Sequence, residues 1–126
     1  MSGSAKHAPF PRSARLRRHS DFELVYKQGR RHFASHLTVF YLCQPELTGL
    51  RVGFTVGRAM GGAVDRNRMK RRLREAVRLH GFHVRAGVDV VINPKKSLLR
   101  IEFAELQKEI ARAFEVIEKS LARGTT

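Results

Sequence analysis

Apolar positions along the chain alternate between helix-like and strand-like spacing. Phe22, Val25 and Tyr26 fall at i, i+3 and i+4, on one face of a short helix, and Gly29 is a natural stop for it. Ser20 and Glu23 stand three apart at its start, the spacing of a capping box, whose side chains satisfy the free N–H groups of a first turn. The string HLTVFYL at 36–42 predicts a strand and Pro45 and Gly49 mark a turn. RVGFTV at 51–56 predicts a second strand, and the two are expected to pair antiparallel. Gly57, Gly61 and Gly62 then interrupt the chain before a helical pattern over 63–80 that Gly81 closes. VDVVI at 88–92 is a third strand, followed by a turn at Pro94. Phe103, Leu106, Ile110, Phe114, Ile117 and Leu121 recur at three and four, an amphipathic helix. The order of elements reads as α+β or a small α/β sandwich. Residues 1–14 are expected to form a flexible basic tail, 15–122 one domain and 123–126 a C-terminal tail.

Charge narrows the picture. Twenty-five Lys and Arg face eleven Asp and Glu, a formal net charge of +14 in 126 residues. Self-repulsion of that size costs stability unless something anionic neutralises it, and nucleic acid is the commonest such partner. No apolar run is long enough to span a bilayer and the first residues lack a signal-peptide core, so a soluble, cytoplasmic chain is expected. Cys43 is the single cysteine, which excludes an intrachain disulfide and a thiolate metal site.

The charge concentrates in the helical pattern at 63–80. Met69, Leu73, Ala76 and Val77 form one apolar stripe. Lys70, Arg71, Arg74 and Arg78 cluster opposite it, with Arg68 and Arg72 on a flank. Like charges at i and i+4 repel, so the row Lys70, Arg74, Arg78 makes physical sense where phosphates neutralise it. Six of the seven cations from Arg66 to His80 are Arg, whose planar fork suits bidentate phosphate contact. The glycines ahead of the helix leave N–H groups open to an anion at the positive end of its dipole. Asn67 either caps the helix or hydrogen-bonds a base or ribose. The stripe is too narrow for a membrane-surface helix, which needs a wide face of large apolar residues.

The segment GAVDRNRMKRRLREAVR closely resembles the signature of the protein component of bacterial ribonuclease P, whose helix carries an Arg-Asn-Arg core, here Arg66, Asn67 and Arg68. The resemblance begins at RLRRHSDFELVYKQG and covers roughly 15–121. It implies a two-layer sandwich of a mostly antiparallel mixed sheet with helices, and a left-handed β-α-β crossover. It also implies that Arg66, Asn67, Arg68, Lys70, Arg71, Arg72, Arg74 and Arg78 lie against the catalytic RNA. A cleft between the first helix and the sheet would receive the single-stranded 5′ leader of precursor tRNA. By matching position that cleft includes Phe22, Tyr26 and Phe40, for which core packing is the alternative, with Arg15, Arg17, Arg18 and Arg58 as surrounding cations. The family turn Ser-Lys-Lys followed by Gly-Asn is replaced here by Gly57, Arg58, Ala59, then Gly61 and Gly62, so one cation and one amide are missing.

No catalytic constellation stands out. The acids are scattered, and Glu102, Glu105, Glu109, Glu115 and Glu118 are expected on the solvated side of the last helix. His32 and His36 lie in a string that does not look helical, and His80 and His83 read as surface residues. Cys43 reads as a small buried hydrophobe. The resemblance agrees: the RNA subunit and its Mg²⁺ ions would perform hydrolysis, and the protein would raise substrate affinity and screen phosphate repulsion. The expected partners are the ribonuclease P RNA and precursor tRNA, with no membrane and no DNA. A structural or ribosomal-type RNA-binding protein is the first alternative and a stand-alone endonuclease the second. A DNA-binding protein is third, since no helix-turn-helix surrounds the basic helix.

Overall fold

A computed structural model describes residues 11–123; the expected tails lie outside the described residues as far as 1–10 and 124–126 are concerned. Its helices are α1 (His19–Gln28), α2 (Ala63–His80) and α3 (Phe103–Ala122). Its strands are β1 (Arg30–Phe33), β2 (Leu37–Thr48), β3 (Leu50–Phe54) and β4 (Ala86–Pro94). They form one mixed sheet in the order β1-β2-β4-β3, antiparallel except for the β3–β4 pair. The unit β3–α2–β4 is therefore a parallel β-α-β connection, and the chain is α+β as expected.

The expected antiparallel pairing of the strings at 36–42 and 51–56 does not form, because β4 inserts between β2 and β3. The reason is legible in burial. Every residue of β4 from Gly87 to Ile92 is buried, as in a strand covered on both faces, whereas Arg51 and Phe54 of β3 stay partly exposed. Strand β2 also runs through the predicted turn to Thr48, with its register shifted between Cys43 and Thr48. Pro45, which has no N–H to donate, sits inside that irregularity. Strand β1 was not predicted.

Alternation along the strands splits the apolar residues between two faces. Leu37, Val39 and Tyr41 of β2, Leu50 and Val52 of β3, and Val88, Val90 and Ile92 of β4 enter the main core. They meet Met69, Leu73, Ala76 and Val77 of α2 and Leu106, Ile110, Ala113, Phe114 and Ile117 of α3. The predicted stripe on α2 is thus its buried face. The other side of the sheet carries a smaller cluster of Leu16, Val25 and Val91, flanked by Phe22, Phe40 and Leu42, so α1 adds a partial third layer to the two-layer sandwich. Helix α1 starts without the expected capping box: Arg18 is its N-cap and no side chain caps it. A turn at Arg12–Ala14 buries Ala14, so packed structure begins before residue 15.

One charge lies inside this frame. Asp89 of β4 is fully buried and faces α1. Arg51 donates to it twice, Nε at 2.8 Å and a terminal nitrogen at 2.7 Å, and Gln44 donates at 3.2 Å. That hydrogen bond, more than the nearby charges, raises the Arg51 guanidinium above its ordinary pKa. Arg51 also reaches Asp21 in the first turn of α1 at 3.9 Å, so one side chain ties β3, β4 and α1 together.

Gly53 allows the closest approach of α1. A Cβ there would lie 2.3 Å from Cζ of Phe22, so any larger residue displaces the ring. Gly53→Ala is expected to destabilise the fold by about 1–3 kcal/mol through overpacking. Urea unfolding checks this, and Gly53→Ala combined with Phe22→Leu is expected to recover part of the loss.

Candidate nucleic-acid interface

Two neighbouring surfaces carry the residues that sequence pointed to. The first lies under α1, where three cross-strand rungs face outward: Leu42, Asp89 and Arg51; Arg31, Phe40, Val91 and Gly53; Phe33, Thr38 and Asn93. Tyr26 leans edge-on against Phe40, with ring centres 4.8 Å apart and planes at 87°. Its hydroxyl donates to Asn93 Oδ1 at 3.0 Å and lies 2.7 Å from the Thr55 hydroxyl oxygen. Tyr26 is 37% exposed, so it is neither core nor free surface.

The structure therefore brings Phe22, Tyr26 and Phe40 together, in different states. Phe22 is half-buried against Gly53, Phe40 is half-buried beneath Tyr26, and Tyr26 forms the open wall. Two residues of this face were missed. The Arg31 guanidinium lies 5.9 Å from the centre of the Phe40 ring, a cation–π contact, and Phe33 is 69% exposed on the sheet edge. Both belong to β1, whose RRHF carries no apolar alternation to mark it as a strand.

The second surface is the outer side of α2. Asn67, Arg68 and Arg71 are exposed; Arg66, Lys70, Arg72, Arg74 and Arg78 are partly buried. They are not equivalent. Arg66 donates from Nε to the Gly61 carbonyl at 3.2 Å and so steadies the turn, where Gly61 has a φ of 133° that disfavours other residues. Arg72 donates to the carbonyls of Ile101 at 2.6 Å and Leu99 at 3.4 Å, so its fork is turned inward. Arg78 pairs with Glu75 one turn back, a hydrogen bond that raises its pKa, so the like-charged row is neutralised at its last member. Asn67 lies a full turn inside α2 and cannot be its cap; Gly62 is, without a side-chain bond, and Asp65 occupies the first turn.

The four arginines assigned to the leader cleft are dispersed. Arg15 bridges to Val52, and Leu16 donates its N–H to the Val52 carbonyl at 2.9 Å, so this arm runs beside β3 on the sheet edge. Arg15 and Arg17 line an open groove of about 430 Å³ whose other wall is Lys70 and Arg74 of α2. Arg18 accepts backbone bonds as the N-cap of α1, and Arg58 is exposed in the turn after β3.

Other polar groups are held structurally. His36 Nδ1 lies 2.7 Å from the Ser97 hydroxyl, and its backbone N–H donates to Glu109 at 3.0 Å. Glu109 therefore faces inward from α3, contrary to expectation. Burial lowers the His32 pKa, with Arg112 adding to the effect and Glu109 opposing it. His80 is part-buried against Gln107, while Cys43 is half-buried in β2. Among the described residues no three His, Cys, Asp or Glu side chains gather as a metal site, and no helix is long and apolar enough to cross a membrane.

Comparison with known proteins shows the family and the fold. The family model described as Ribonuclease P matches residues 10–118. The ribonuclease P protein component of Symbiobacterium thermophilum is 44% identical over 101 residues, 80% of this chain and 88% of that protein. That of Oleidesulfovibrio alaskensis is 37% identical over 115 residues, 89% of this chain and 92% of that protein. The solved structure of the Thermotoga maritima ribonuclease P protein superposes with a TM-score of 0.71 at 28% identity, covering 79% of this chain and 94% of that one. The Staphylococcus aureus structure shares the fold with a TM-score of 0.73 at 23% identity, covering 82% and 94%.

Arg72 and Arg71 provide an internal contrast. Arg72→Gln is expected to cost about 1–2 kcal/mol of stability, because two carbonyls lose a charged donor. Arg71→Gln, on the exposed side, is expected to change stability by no more than about 0.5 kcal/mol. Urea unfolding of both variants side by side makes the comparison.

Proposed function

Since the chain belongs to the ribonuclease P protein family, a family of protein components of a ribonuclease that partner its RNA, we propose that it binds the catalytic RNA through α2 and the 5′ leader of precursor tRNA through the groove between α1 and the sheet. The observation that carries this reading is the pairing of a rigid cationic helix face with a separate half-open aromatic wall. Four buried side chains fix α2 on the core, so its outward arginines are presented at fixed spacing. Duplex backbone or folded RNA reads such a face as an array of phosphate contacts. Tyr26 and Phe40 instead offer ring surface at a wet edge, which suits unpaired bases.

Leader contact explains discrimination without further machinery, because mature tRNA has no leader to occupy the groove. In this reading Mg²⁺ is held mainly by the RNA subunit, where hydrolysis takes place. The protein's cations lower phosphate repulsion and so favour metal and substrate binding in the assembled particle. The products are a 5′-phosphorylated tRNA and a leader fragment.

The primary test mixes the protein with a bacterial ribonuclease P RNA and a precursor tRNA at low-millimolar Mg²⁺. Cleavage at the mature 5′ end that needs both components is expected; binding without stimulation would favour a structural RNA-binding protein instead. Arg68→Ala with Arg71→Ala, both exposed, is expected to weaken RNA-subunit binding about tenfold and to reduce the salt slope by about one for each arginine removed. Tyr26→Ala is expected to weaken precursor binding by about 1–3 kcal/mol while leaving mature tRNA binding unchanged. Tyr26→Phe, which keeps the ring, is expected to retain most of that affinity. Equal losses on precursor and mature tRNA would remove the leader role from Tyr26.

A further inference from the structure

The groove between the N-terminal arm and α2 combines features that neither proposed surface has alone. Arg12, Arg15 and Arg17 line one side and Lys70 and Arg74 the other, with the edge of Phe22 between them. Among the described residues no carboxylate lines it. Its volume, about 430 Å³, falls in the roughly 300–1,000 Å³ range of clefts that take small ligands. Five cations around one concavity repel one another, and their mutual field is strongest inside it. Backbone geometry holds them there: the arm is bonded to β3 through Leu16 and Val52, and Leu16 itself is buried on the α1 side. Arg15, Leu16 and Arg17 all reach the groove, the two arginines exposed at its rim and Leu16 at its apolar floor beside Phe22.

The geometry points to a binding site for an unpaired nucleotide of the RNA subunit, its phosphates held by Arg15, Arg17 and Arg74 and its base against Phe22. This rests on the functional reading above and reassigns Arg15 and Arg17 from the leader to the catalytic RNA. Lys70 and Arg74 belong to the row that continues along α2, so a backbone tracking that helix passes directly into the groove. The aromatic wall of Tyr26 lies one helical turn beyond Phe22, on the other side of α1's contact with Gly53.

The test uses the full chain and a bacterial ribonuclease P RNA, first without tRNA. Arg15→Gln with Arg17→Gln is expected to reduce RNA-subunit affinity about tenfold and to flatten the dependence of log affinity on log salt by about 1.4, at about 0.7 per single-strand phosphate contact. The ratio of precursor to mature tRNA affinity, measured with the RNA saturated by protein, is expected to stay within about twofold of wild type. Arg74→Gln, on the opposite wall, is expected to give the same signature at about half the slope change, so that a disturbed arm cannot account for the result. An unchanged salt slope, or a fall in the precursor-to-mature ratio, would overturn the site. Failure of the wild-type protein to bind the RNA subunit at all would instead sink the functional reading itself.

Discussion

Strand β4 is buried along both faces and separates β2 from β3, and the remaining elements take their positions from it. Val88, Val90 and Ile92 face the core under α2 and α3, while Asp89, Val91 and Asn93 face α1. One strand therefore sets the height of both proposed RNA surfaces. The price of that position is Asp89, a carboxylate with almost no exposure. Its bidentate bond to Arg51 and the amide of Gln44 satisfy it, and removal of Arg51 would leave the carboxylate uncompensated in a dry setting. Because Arg51 also approaches Asp21, the same ion pair fixes the first turn of α1 over the sheet. Asn93, two rungs along, anchors the other end of α1 through the Tyr26 hydroxyl.

The large positive charge is distributed rather than endured evenly. Arg72 satisfies two backbone carbonyls, Arg66 steadies the glycine turn and Arg78 is paired with Glu75. These three serve the fold as well as the surface. Arg68 and Arg71 remain outward on α2, and Lys70 and Arg74 are turned to the groove shared with the arm. Asp65 in the first turn meets part of the positive end of the helix dipole, so the case for RNA contact rests on side chains rather than on the helix terminus.

Much of this is legible in the chain before folding, where burial and periodicity coincide. The α2 stripe of Met69, Leu73, Ala76 and Val77 is the face that is buried, and the spacing from Phe103 to Leu121 marks α3. Strand order is not legible, because it depends on which strand has both faces covered. The near-continuous apolar run around Asp89 held that information, and a hairpin reading of its neighbours hid it. Strand β1 escapes because an edge strand needs backbone partners more than apolar side chains, and three of its four residues are exposed. The individual roles of Arg72, Arg78 and Glu109 depend on contacts with residues whose side-chain positions a periodic pattern does not give. The family resemblance grouped Phe22, Tyr26 and Phe40 with Arg15 and Arg17; the fold sets Tyr26 against Phe40, while Arg15 and Arg17 line a groove with Phe22 that also reaches Lys70 and Arg74 of α2.

The two surfaces differ in how firmly they are held, and the difference matches what each is proposed to bind. Helix α2 buries four side chains completely in the main core and shares that core with the length of α3. Helix α1 buries only Val25, and is otherwise secured by half-buried aromatics and by polar ties at its two ends. Fewer buried apolar contacts mean a lower cost of local opening. A folded RNA presents phosphates at fixed positions and rewards a surface that does not move. Leaders differ in sequence from one precursor to the next, so a wall that can shift by small amounts accommodates them without a separate contact for each base. Phe22 stands where the two regimes meet, against Gly53 on one side and the cationic groove on the other.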